Sequence, residues 1–403
     1  MVYLTFDVYE IIIDMLAEIH ILSLKSCSLV CNDFARLCRK HIFHSIELDS
    51  TERRYTRRFD RLLNRSPSTA NYVRSLTFVY NTARRNVGPP VLHSLHRVKD
   101  FTLRLTDGKE NYCGDPQYDW EKLPSRHRSY FYSFIQSNSI EQLSLVNIQN
   151  LPATILTYFP HLTSLKVDNV SILDAPLESG FSGPMGVPKL ISIWSRQSNL
   201  GPLRKLLSYD QPNTTPVLDL TGLENMGVSL EGGHTGMDVI RHLLQHSQNL
   251  KCLSLSASYD SYLNFKGNLA SSLTHGSLKT LKMMKIMTMV EDQRTDPYLY
   301  FVEELEQIGG QNVLETLSIE VDIETNARPT TELSKWAQLD RTLSAADAFP
   351  YLRSVSLEIT IWRSSPDPNG LQARFEEIGR EGFRWLRGNE KLEFIFKVAI
   401  SDV

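Results

Sequence analysis

Two hydrophobic rhythms divide this chain. Over the first fifty positions the apolar residues recur every three or four places, the spacing of a helix face. From about position 70 onward they come in short bursts in which alternate residues are apolar, the spacing of a strand with one buried face. Val8, Ile12 and Leu16 form one stripe of a first helix, with Thr5 as N-cap and Asp7 in the first turn, where a negative charge suits the helix dipole. Ser23 is placed to cap a second helix whose apolar face is built from Leu24, Cys27, Cys31, Phe34 and Leu37. A third short turn through Ile42 and Phe43 leads into Ile46 and Leu48, which alternate like a strand. From Thr51 to Arg65 the run TERRYTRRFDRLLNR predicts an amphipathic helix, with Tyr55, Phe59, Leu62 and Leu63 on one face and Arg53, Arg54, Arg57, Arg58 and Arg61 on the others. Such a basic run is more often a solvated helix face than a nucleic-acid or localisation patch.

The strand-like bursts repeat. An apolar residue, two variable positions, an apolar residue, one variable position and another apolar residue recur at Val73/Leu76/Phe78, Val98/Phe101/Leu103, Ile140/Leu143/Leu145 and Leu162/Leu165/Val167. The pattern continues at Leu250/Leu253/Leu255, Leu278/Leu281/Met283, Leu314/Leu317/Ile319 and Leu352/Val355/Leu357, with weaker copies at Leu190/Ile193 and Leu218/Leu220. The copies lie roughly 22 to 40 residues apart, against about 20 to 29 for leucine-rich repeats. Helical spacing appears between them, at Pro202–Ser208, Met237–Gln248, Tyr298–Ile308, Thr331–Leu343 and Leu371–Leu386, and KLEFIFKVAI from Lys391 reads as a closing strand. The expected fold class is therefore α/β: an N-terminal three-helix unit over residues 1–48, a linker helix over 49–70, and over 71–403 an irregular leucine-rich-repeat solenoid with a curved parallel sheet. Asp107–Arg128 and Leu173–Pro188 read as surface insertions.

The apolar spacing of the first segment, with the run Leu29, Val30, Cys31 and then Phe34, Leu37 and Phe43, resembles the F-box motif. The helix and strand that follow are similar to the linker after the F-box in the expanded families of mushroom-forming fungi, and FPHLTSLKV and FPYLRSVSL resemble repeats of F-box leucine-rich proteins. The resemblance implies a substrate adaptor of a ubiquitin ligase, not itself an enzyme and without a cofactor, whose helices dock on Skp1 and through it on a cullin and a RING subunit. By position, the docking residues it implies are Leu4, Val8, Ile12, Leu16, Leu24, Leu29 and Val30, with Thr5 standing where the family usually has proline. Thr5 can cap the helix but lacks the fixed φ of a proline.

In the repeat pattern the variable positions beside each inward leucine project from the sheet, which makes them candidates for holding a target protein. Lys166, Trp194, Lys282, Met284, Glu320, Asp322, Glu358 and Trp362 stand out, since a few large anchors among small polar residues suit a protein-binding surface. Acidic residues gather in the later repeats and point to a target with a basic segment.

Charge and chemistry narrow the picture further. A formal net charge of −3 argues against a general nucleic-acid or membrane-surface binder, while leaving room for a local basic patch. The N-terminus lacks the marks of a secretory signal, and charges interrupt every apolar run before membrane-spanning length, so a cytoplasmic or nuclear location is expected. The 5 cysteines, Cys27, Cys31, Cys38, Cys113 and Cys252, are odd in number and suit reduced thiols. Cys27, Cys31 and Cys38 with His41 and His44 lack a CxxC pair and read as packing residues on one helical face, not as a zinc site. Gly232, Gly233 and Gly236 read as a flexible turn, and His93, His96, His242 and His246 as packed or solvated side chains, because no metal, nucleotide or nucleophile motif accompanies them.

Overall fold

The alternation seen in the repeats becomes a stack of parallel strands. The structure, a computed structural model, describes residues 6–83, 90–107, 118–173, 186–196, 217–230, 235–257, 267–290, 299–324, 333–345, 347–363 and 370–402. Its contacts divide the chain into two compact units, Met1–Pro188 and Lys189–Val403.

The first unit opens with three helices, α1 (Phe6–Ile19), α2 (Ile21–Cys27) and α3 (Asn32–Ile42). They share a small core in which Ile13, Leu24, Leu37 and Cys38 are buried, with Tyr9, Leu16, Ala17, Cys27, Phe34 and Ile42 packed against it. The expected single helix from Ser23 to Leu37 is two helices. The His20 ring caps α2, accepting from the Ser23 amide at 3.2 Å, and Cys31 stands at the N-cap of α3. Cys31 is therefore exposed and does not share the buried face of Cys27 and Cys38. Polar contacts tie α3 to α1: Lys40 Nζ lies 2.7 Å from Glu10 Oε1 and 2.8 Å from Asp14 Oδ1, and His41 Nε2 lies 2.7 Å from Asp14 Oδ1. The bond from Lys40 holds the Asp14 carboxyl below its usual range, with His41 assisting.

Strand β1 (Ser45–Asp49) belongs to the sheet, not to the helices alone, because it pairs in parallel with β2 (Ser75–Asn81). Helix α4 (Arg53–Arg65) makes the crossover, burying Phe59 and Leu63; Tyr55, expected on that buried face, is 60% exposed. Beyond it come β3 (Asp100–Thr106), the two-residue β4 (Tyr118–Asp119), α5 (Ser125–Ser137), β5 (Gln142–Pro152) and β6 (Ser164–Leu173). The strands run β1-β2-β3-β5-β6, all parallel, with β4 beside β5. The part of the expected 107–128 insertion that is described is framework: Trp120 is buried against Phe131 and Tyr132 of α5. Beside them the Tyr80 hydroxyl and His127 Nδ1 lie 2.5 Å apart, both side chains buried. Residues 108–117 and 174–185 lie outside the described residues.

In the second unit the strands again follow chain order: β7 (Ser192–Arg196), β8 (Asn225–Leu230), β9 (Cys252–Ala257), β10 (Met283–Val290), β11 (Thr316–Glu324), β12 (Ser354–Arg363) and β13 (Glu393–Asp402). Helices fill the returns: α6 (Thr235–His246), α7 (His275–Leu278), α8 (Leu299–Ile308), α9 (Leu333–Ser344), α10 (Leu371–Glu381) and α11 (Arg384–Gly388). The pattern predicted one helix where α10 and α11 stand. They break at Gly382, where a Cβ would meet the Ile378 carbonyl oxygen at 2.8 Å. Asp340 of α9, itself buried, accepts from the amides of Trp385 and Leu386 and so caps α11. The expected helix at 202–208 lies outside the described residues.

The repeats share a backbone device that the irregular spacing hides. In most of the described turns the residue entering the strand gives its carbonyl to two successive amides of the next turn. Lys99 O accepts from Glu141 N and Gln142 N, Lys251 O from Lys282 N and Met283 N, and Glu315 O from Arg353 N and Ser354 N. Asn138 and Asn312, each two residues before the first strand apolar residue, tie the preceding helix to its neighbour through donated side-chain bonds. Parallel strands joined by helical returns, each turn bonded to the next, are the connectivity of a solenoid-like α/β fold.

The inward leucines fall where the pattern predicts in most turns, with two corrections. The strand-10 repeat is Leu281/Met284/Ile286, not Leu278/Leu281/Met283; Leu278 ends α7, and Met283 is exposed. The β8 repeat is Leu223/Met226/Val228, although Leu218 and Leu220 are also buried.

Candidate functional site

Two surfaces carry side chains that the fold itself does not use. The first lies on α1 and α2. Packing three short helices buries few residues, and the rest of their apolar side chains remain outside. Ile11, Ile12, Met15, Ile19, Ile21 and Leu22 are all exposed, as are Phe6 at the start of α1 and, in the turn after α2, Leu29 at 86% and Val30 at 70%. An apolar surface of this extent is uncommon on a protein that acts alone.

The structure distributes the expected docking residues unevenly. Leu29, Val30 and Ile12 are on the surface, Val8 and Leu16 are half-buried, and Leu24 is fully buried in the three-helix core. Leu24 thus holds the unit together, and in this arrangement it offers nothing to a partner. Leu4 and Thr5 lie outside the described residues. The sequence reading missed the stripe Ile11, Met15 and Ile19, whose spacing of four was as legible as that of Val8, Ile12 and Leu16. Its signal was masked because α1 is apolar on more than one side.

The second surface is the outward side of the strands in the second unit. Parallel register sets its residues in rows. One row runs Cys252, Met283, Thr316, Ser354 and Glu393; the next runs Ser254, Lys285, Ser318, Ser356 and Ile395; a third runs Ser256, Met287, Glu320, Glu358 and Lys397. Glu320 pairs with Lys285 at 2.6 Å, and Glu358 lies 3.9 Å from Lys397. Beyond them Asp322 and Thr360 stand opposite each other with Trp362 one step further along the strand. Burial raises the Asp322 pKa above the usual carboxylate value, and donors on Trp362 and Thr360 act against that rise.

No known protein family matches this chain, and comparison with curated proteins gives no match. The remaining site residues are therefore placed by geometry alone. Trp194 lies over Gly227 of the neighbouring strand, where any Cβ would collide with its ring, and stays 40% exposed; its Nε1 donates to Ser192 Oγ at 2.8 Å. Glu320, Asp322, Glu358 and Trp362 share the outward face as expected from the alternation. Met284 does not: it is fully buried, because the strand-10 repeat is shifted, and Met283, Lys285, Met287 and Met289 point outward in its stead. Lys282 precedes the strand and pairs with Glu315 at 2.8 Å at its entrance. Lys166 projects from β6 in the first unit, beside Ser144.

The first unit adds an asparagine pair that the leucine pattern did not reveal. Asn147 and Asn169 both adopt positive φ, 60° and 52°, and Asn169 Nδ2 donates to Asn147 Oδ1 at 3.0 Å, so equivalent turns bend at the same place. A cleft of about 290 Å³ is lined by Thr82, Tyr118, Asp119, Lys122, Leu123, Pro124 and Gln149, with Lys122 Nζ 3.4 Å from Asp119 Oδ2. Among the described residues no group of three or more His, Cys, Asp or Glu is placed to hold a metal ion, and no helix is long and apolar enough to cross a membrane.

Proposed function

We propose that this chain is a substrate-recognition adaptor of a Skp1–cullin–F-box ubiquitin ligase, with α1–α3 as its F-box and the strands and helices that follow as leucine-rich repeats. The observation that carries the reading is the apolar surface of α1, α2 and the turn at Leu29 and Val30, large beside a core of four buried residues. A unit that leaves so much apolar area in water gains from a partner that covers it. In this role the helices hold the chain on Skp1, and the outward strand face holds the target near the activated ubiquitin, so that proximity supplies the rate.

Co-expression with Skp1 tests the docking. The wild-type chain is expected to co-purify with Skp1, and the pair Leu29→Asp and Val30→Asp to abolish the complex while leaving the fold intact, since both positions are exposed. Failure of the wild-type chain to bind Skp1 leaves the second reading, a repeat scaffold outside any ligase, which the burial of Leu24 favours. On the target side, charge reversal at Glu320 and Glu358 is expected to weaken capture of a basic target; unchanged capture would remove these residues from the binding face.

A further inference from the structure

We infer that the outward face of α4 is a binding site for the phosphate backbone of a single-stranded nucleic acid, independent of the ligase reading. The whole-chain charge of −3 weighs against general nucleic-acid binding, but the charge is unevenly placed. Arg54, Arg58, Arg61 and Arg65 follow one another at intervals of four, three and four, and Arg57 stands three residues after Arg54 and four before Arg61, so the five form a single stripe along the helix, and all five are exposed. Among the described residues none of the five forms an ion pair. Asp60, the one acid within α4, faces Asn64, whose Nδ2 donates to it at 3.5 Å. Like charges at this spacing repel and weaken a helix, and a chain of phosphates relieves that repulsion.

Three features choose the occupant. At 1.5 Å of rise per residue, Arg54, Arg58, Arg61 and Arg65 stand roughly 4.5 to 6 Å apart along the helix, a spacing that successive phosphates of one flexible strand can follow. Tyr55, adjacent to Arg54 and three residues before Arg58, is exposed, and an exposed aromatic ring beside a basic stripe is a platform for an unpaired base. The apolar side of α4 is already used: Phe59 and Leu63 are buried, and Thr56 Oγ1 donates to the Asp49 carbonyl at 3.0 Å. The helix therefore has no free apolar face to lay into a lipid surface, which separates it from a membrane-binding amphipathic helix.

Fluorescence anisotropy of the full chain with a labelled 16-nucleotide oligouridylate, its deoxythymidylate counterpart, a duplex of the same length and anionic phosphatidylserine vesicles tests the inference. Both single strands are expected to bind at low salt, with or without the 2′-hydroxyl, and more tightly than the duplex. Arg57→Glu/Arg58→Glu/Arg61→Glu is expected to cost at least about tenfold and to flatten the salt dependence by roughly 2 in slope. Tyr55→Ala is expected to cost about fivefold, and a control triple on exposed positions, Arg380→Glu/Arg384→Glu/Lys391→Glu, to change binding less than about twofold. Should the triple reversal fail to fold, Arg57→Gln/Arg61→Gln reads the same loss through a slope change of roughly 1.4. No binding at low salt, equal loss in the control, tighter binding of the duplex, or binding to vesicles alone each overturns it.

Discussion

The helices of Phe6–Ile42 and the sheet of the second unit treat their apolar residues in opposite ways. In the sheet, alternation sends one residue in two inward, and the inward rows of β9 to β12, such as Leu253, Met284, Leu317 and Val355, are buried almost without remainder. Their outward partners are serine, threonine, glutamate and lysine relieved by methionine and tryptophan. In the helices the apolar residues exceed what three short segments can bury, and more large apolar side chains lie outside than in the core. A sheet row buries its inward side within the fold; the helical unit leaves most of its large apolar side chains outside its core.

The sharpest way to break this contrast is to delete apolar side chains from each region. Leu317→Ala is expected to cost about 2–5 kcal/mol in chemical denaturation, as a buried leucine leaving a cavity, whereas Leu29→Ala is expected to move stability by no more than about 0.5 kcal/mol. Equal losses would erase the distinction. Leu24→Ala asks whether the helical unit has a core at all. A cost of about 2–3 kcal/mol, near the low end of the range because so small a core can collapse around the gap, is expected, with faster amide exchange confined to α1–α3. No change in exchange there would place Leu24 outside the core.

On the outward face Gly227→Ala is expected to push Trp194 off the sheet, red-shifting its emission and costing about 1–3 kcal/mol as an overpacked contact; unaltered Trp194 emission would show that the ring does not rest there. The smallest effect concerns the buried pair in the first unit. Burial, with Arg126 nearby, lowers the His127 pKa from its ordinary 6.5, so the unfolded chain takes up a proton at a pH where the native chain does not. Stability is then lost as pH falls below about 6.5 and is fully present above it. Melting temperatures from pH 7 to pH 5 should decline in the wild-type chain and decline less in His127→Gln; parallel declines would exclude His127 as a source.

Much of this arrangement is legible in the residues. Strand positions such as Leu76, Phe101, Leu143, Leu253 and Leu317 follow from period-two alternation, because only one register puts leucine inward. Legibility fails at β10, where KMMKIMTMV offers apolar residues on both faces and the alternation cannot choose between Met283 and Met284. It fails for α5, whose core-facing residues are aromatic except for Ile135 and whose entrance follows an irregular stretch. On α1, two stripes are apolar, and which of them packs inward depends on α2 and α3, information that no single helix carries. The double-amide carbonyls at most strand entrances are backbone geometry and have no residue signature. For the outward face, the residues could be named but not their pairings: Lys285 with Glu320 and Lys397 with Glu358 depend on the register between turns that lie far apart in sequence.

The claim that the helical unit is incomplete without a partner is tested most directly by calorimetric titration of purified Skp1 into the full chain and into its Leu29→Asp/Val30→Asp variant. The account predicts saturable one-to-one binding with a negative heat-capacity change, the mark of apolar burial, and loss of that binding in the variant at unchanged thermal stability. Binding of equal strength in both chains, or none in the wild type, would contradict it.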